Sequence, residues 1–119
     1  MDAYPLIILS QPPYAGSGAR AAVDLALSYA VFGKAPRLLL LGDGVLQLAG
    51  GQEPGESGRR SLGKVIDSLP LYDIDTLYLR AADASVRGLE LSGLPAHVKC
   101  LDDDAVRQLR AGARHILSL

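Results

Sequence analysis

At 119 residues, 49% hydrophobic and 21% charged, the chain has the length of one domain and the composition of a folded protein, which argues against disorder. Its net charge of −1, with no basic run longer than Arg59-Arg60, argues against a direct grip on nucleic acid, which needs a clustered cationic face. The one cysteine, Cys100, excludes an intrachain disulfide and points to a reducing, cytoplasmic setting.

The start, Met1-Asp2-Ala3-Tyr4-Pro5, is acidic where a signal peptide carries positive charge. Leu6-Ile7-Ile8-Leu9 is a short continuous apolar run, the pattern of a strand covered on both faces. Gln11 to Gly16 holds two prolines and reads as a loop. Ser17 is a candidate N-cap. Ala19, Ala22, Val23, Ala26, Leu27 and Ala30 then follow at helical spacing, and Gly33 can stop the helix. The nearly uncharged stretch from Ala21 to Gly33 is interrupted by Asp24 and falls short of the roughly 20 residues that span a bilayer, so no membrane segment is expected.

Arg37 to Leu41 reads as the second strand, closed by Gly42, with a helical turn over Asp43 to Leu48 and a loop over Ala49 to Ser57. Leu62, Val65, Ile66 and Leu69 mark a second amphipathic helix that must end before Pro70. Thr76 to Leu79 is the third strand, Ala82 to Arg87 a short helix ending at Gly88, and His97 to Cys100 the fourth strand. Asp102 or Asp103 caps a last helix that turns Val106 and Leu109 inward and stops at Gly112. His115 to Leu119 closes the chain as a strand.

Strands alternating with helices over short links imply right-handed βαβ units and a mostly parallel sheet with helices on both faces. The expectation is one α/β domain over residues 1–119, a three-layer flavodoxin-like sandwich of five strands in the order 2-1-3-4-5, with strand one central. Ligands of such sheets lie at the carboxyl ends of the strands. Here those are the 11–17 loop, Asp43 onward, Arg80 to Asp83, and Cys100 with Leu101.

Gly16 to Ala21 fits the G-x-G-x-x-G/A dinucleotide string. Gln11 to Ala15, however, separate it from the strand, where the fingerprint needs a tight turn, so glycines at a helix start are the simpler account. A phosphoacceptor domain needs acids directly after strand one, where this chain has Ser10-Gln11-Pro12. His97 and His115 lack the convergent ligands of a metal site, and Asp102-Asp103-Asp104 fit helix capping better than a cation site; no metal or cofactor is expected. Cys100 ends a strand just before a helix start, with Lys99 beside it, which makes it the one candidate catalytic thiol. The competing expectation is a small buried hydrophobe. Val45, Leu46, Leu48 and Tyr72 are apolar at strand exits where polar residues are usual, and are expected to need covering at a subunit interface.

Asp43-Gly44-Val45-Leu46-Gln47-Leu48, Gly51 to Pro54, Leu71-Tyr72-Asp73-Ile74 and Arg87-Gly88-Leu89, with Pro13 and Arg20 ahead of them, resemble in order and spacing the TusC, or DsrF-like, proteins of the DsrE/DsrF-like superfamily. The resemblance covers nearly the whole chain. It implies a heterohexamer with TusB-like and TusD-like subunits and a TusE-like carrier protein, passing persulfide sulfur toward 2-thiouridine at the tRNA wobble position or serving sulfur oxidation; homo-oligomers of the isolated chain are compatible with it. It also implies that the sulfur-carrying cysteine belongs to the TusD-like subunit and that this subunit is structural, not an enzyme by itself. Where some relatives carry a cysteine after strand three this chain has Arg80, a candidate contact for a persulfide anion held on a neighbour, and Asp83 stands for a nearby serine. Two alternatives stay open: a self-sufficient sulfurtransferase using Cys100, and a nucleotide- or flavin-binding domain.

Overall fold

A computed structural model describes residues 4–11, 18–33, 35–48, 74, 76–89 and 97–119, with only the backbone of 18–20, 47 and 48. The expected helix over Leu62 to Leu69 and the loops at 12–17 and 49–57 lie outside the described residues.

Five strands form one parallel sheet: β1 (Tyr4–Leu9), β2 (Arg37–Leu40), β3 (Leu77–Arg80), β4 (Val98–Leu101) and β5 (Ala113–Ser118). Helix α1 (Gly18–Val31) joins β1 to β2, and a 3₁₀ helix over Gly42–Leu48 follows β2. The short α2 (Ala81–Val86) follows β3, and α3 (Asp103–Ala111) links β4 to β5. Each element lies within a few residues of its sequence expectation.

The α/β class and the five-stranded parallel sheet agree with the sequence. The strand order does not. It is 4-3-2-1-5, with β2 in the middle and β1 beside it, in place of 2-1-3-4-5 with strand one central. The order follows from three successive crossovers in one direction and a fourth that returns past β1. Right-handed crossovers then put helices after β1 and β3 on one face and the helix after β4 on the other.

Packing agrees with that rule. Ala22, Val23 and Ala26 of α1 and Ala84 of α2 bury Ile7, Leu9, Leu38, Leu40, Leu77 and Leu79 on one face. Val106 and Leu109 of α3 cover Tyr4, Leu6, Ile8 and Leu39 on the other. All six residues of β1 are buried, which is why its apolar run is continuous instead of alternating.

Helix ends obey local chemistry. Gly33 and Gly88 adopt φ +77° and +69°, a region other residues rarely enter, and so end α1 and α2. Asp102 accepts the Ala105 N–H at 2.8 Å as the N-cap of α3. In β1 the register against β5 shifts between Tyr4 and Pro5, where proline has no N–H to give the ladder.

Candidate functional site

The carboxyl ends of β2, β3 and β4 carry a line of ion pairs. Leu41 N–H makes a bond to the Leu9 carbonyl, 3.1 Å, and Gly42, at φ +54°, then turns the chain into the 3₁₀ helix. Gly44 sits tight against β1, since a Cβ there would lie 2.1 Å from the Leu9 carbonyl oxygen. Asp43 stays exposed and accepts from Arg87 Nε at 2.8 Å. Arg80, the last residue of β3, donates through Nη1 to Asp83 at 2.9 Å and through Nε to Asp103 at 2.8 Å. Arg87 Nη1 lies 3.7 Å from Asp83 Oδ1 and donates to the Asp83 main-chain oxygen.

The hydrogen bond to Asp103 and the charges of Asp103 and Asp83 push Arg80 further up from its ordinary value. The same hydrogen bond and guanidinium charge hold the Asp103 carboxyl below the usual carboxylate range. A groove of about 420 Å³ beside this pair is lined by Ala81, Ala82, Asp102, Asp103 and Asp104. Arg80, the residue expected to contact a persulfide anion held on a neighbour, is thus paired with two carboxylates of its own chain.

Other expected site residues separate. Val45 and Ile74 are fully buried in the core cluster that also holds Ala22 and Ala26 of α1 and Ala84 of α2, so within the chain both are already covered. Leu46 is half-buried. Gln47 and Leu48 lie on the 3₁₀ helix by their backbone, while Leu71, Tyr72 and Asp73 lie outside the described residues.

Cys100 is exposed, which overturns the expectation of a buried small hydrophobe. The reason is position: among the described residues β4 is an edge strand, paired only with β3. Cys100 stands opposite Leu79 and Leu101 opposite Arg80, so strand alternation aims the thiol and the guanidinium at opposite faces. His97 is half-buried and His115 exposed on β5. Among the described residues no group of three or more His, Cys, Asp or Glu could hold a metal ion. No helix among them is long and apolar enough to cross a membrane.

The pairs inside α2 were open to sequence reading, because Arg80 and Asp83 are three apart and Asp83 and Arg87 four apart. The Asp43–Arg87 contact joins residues 44 apart and carries no local signal.

The sequence model of the DsrE/DsrF-like family matches residues 5–111. A Pseudomonas aeruginosa protein named as a TusC homolog is 37% identical over 114 residues, 96% of each chain. A Klebsiella pneumoniae TusC protein is 34% identical over 101 residues, 84% of this chain and 85% of its own. The crystal structure of the ychN protein from E. coli superposes with a TM-score of 0.84 at 20% identity, covering 99% of this chain and all of that one, which speaks for the fold alone. With the fold and nearly the whole length in agreement, the chain belongs to the DsrE/DsrF-like family and is similar within it to the TusC proteins.

Proposed function

We propose that the chain is a non-catalytic structural subunit of a TusBCD-type sulfur-relay complex in the cytoplasm, one that passes persulfide sulfur toward 2-thiolation of the tRNA wobble uridine. Its partners are TusB-like and TusD-like subunits and, through the assembly, a TusE-like carrier. The similarity to TusC proteins supports the relay. The observation that carries the non-catalytic part is Arg80, which occupies the exit of β3 and is bound on two edges by Asp83 and Asp103. That position, where a relay thiol is sought by resemblance, is taken up by a closed ion-pair arrangement with no nucleophile.

The exposure of Cys100 favours a second reading, a chain that carries sulfur on its own thiol, because a relay cysteine must be reachable by a partner's persulfide. Tagging the chain in its native cell and reconstituting labelled sulfur transfer separates the two. Copurification with two subunits of similar size, and no persulfide on this chain during turnover, is expected. Persulfide loading of the isolated chain followed by transfer to the carrier overturns the structural reading in favour of Cys100.

A further inference from the structure

We propose that Asp83 is a positioning residue: its carboxylate takes over from the sheet at the exit of β2 and fixes the Gly42–Leu48 turn against α2. The backbone donors of this stretch show why one is needed. Leu41 N–H is still served by β1 through the Leu9 carbonyl, and Gly44 N–H closes the turn on the Leu41 carbonyl at 2.9 Å. Between them the Gly42 N–H points past the last strand pairing, and Asp83 Oδ2 accepts it at 2.7 Å.

The other oxygen, Oδ1, accepts from Arg80 and faces Arg87, so charges alternate from Asp43 through Arg87, Asp83 and Arg80 to Asp103 across the ends of β2, β3 and β4. Asp83 is the most sheltered of the five, its side chain 15% exposed against 64% for Asp103. Exposed outer pairs contribute little each, whereas a sheltered carboxylate bound to a backbone N–H is the strong kind of contact. The Asp83 side chain therefore holds the turn in place, and the two arginines hold Asp83.

The held turn is the Asp43–Leu48 segment whose half-buried Leu46 the interface expectation concerns, so its value for assembly rests on the proposed function. The clamp itself does not. The test measures amide exchange in the full chain, together with binding to the TusB-like and TusD-like subunits, for wild type, Asp83→Ala and Asp83→Asn. Asp83→Ala is expected to speed exchange at Gly42 by roughly ten- to a hundredfold, the range for a charge-assisted hydrogen bond, while Ile7 and Leu39 keep their rates. Asp83→Asn, which keeps an acceptor oxygen, is expected to restore part of that protection. Unchanged Gly42 exchange in Asp83→Ala overturns the clamp, as does equal acceleration at Ile7 and Leu39, or an Asn variant no better than Ala. Local loosening with weaker partner binding supports both the clamp and the assembly role. Local loosening with unchanged binding supports the clamp and removes the turn from the partner surface.

Discussion

The Tyr4 hydroxyl donates to the Leu109 main-chain carbonyl, tying the first strand to the last turn of α3 across 105 positions of chain. Arg37 lies over the same ring, 3.9 Å from its centre, so the tyrosine is held from two sides. Tyr4→Phe keeps the ring and its cation but leaves a buried carbonyl without its donor. A loss of about 1–2 kcal/mol in denaturant unfolding is expected, with the fold retained. Gly112 gives a second handle, since a Cβ there would lie 2.8 Å from the Tyr4 hydroxyl. Gly112→Ala is therefore expected to cost less in the Tyr4→Phe background than in wild type, measured by a double-mutant cycle.

Gly44→Ala is expected to displace the 3₁₀ helix or unfold the chain. The added carbon meets the carbonyl of Leu9, a backbone atom of a fully buried strand that cannot retreat. The cost should be about 3 kcal/mol or more, at the upper end for overpacking, and thermal unfolding checks it.

Stability in acid should depend on Asp103. Its folded-state carboxyl is held below the usual carboxylate range by Arg80, so the unfolded chain takes up the proton first as pH falls. The stabilisation is complete above that range and is lost as pH drops below about 4, through the depressed folded value. Arg80 is shifted upward and keeps its charge throughout that window. Unfolding of wild type and Asp103→Asn at a series of pH values is expected to show the steeper acid loss in wild type.

Cys100→Ala should change stability by no more than about 0.5 kcal/mol, because the side chain is exposed on an edge strand. The native chain should be alkylated at Cys100 without unfolding. In the assembled relay the variant is expected to transfer labelled sulfur at close to the wild-type rate. A loss of orders of magnitude with the assembly intact would make Cys100 a relay residue.

Leu46→Asp is expected to weaken association with partner subunits by about 1–2 kcal/mol while the circular dichroism of the isolated chain stays unchanged. The half-buried setting of Leu46 on the 3₁₀ helix allows a polar head to reach solvent. Loss of the fold would place Leu46 with Val45 in the core.

Local elements were legible in the sequence because their causes are local. The continuous apolar runs at Leu6–Leu9 and Leu38–Leu41, the helical spacing from Ala22 to Ala30, the stops at Gly33 and Gly88 and the aspartate ahead of α3 each act within a few residues, and the strands and helices stand where those signals put them. Parallel pairing followed as well, since short βαβ links permit little else. The order 4-3-2-1-5 was decided only in three dimensions: a buried strand shows the same apolar run whichever neighbour it has, and nothing in Ala113–Ser118 marks it for the free edge of β1. That order also decided the site. Among the described strands it made β4 an edge and so exposed Cys100, it put Val45 in the core, and it brought the exits of β2, β3 and β4 side by side. Charges far apart in the chain, Asp43 with Arg87 and Arg80 with Asp103, could pair only after that, because ion pairing acts through space and leaves no period in the sequence.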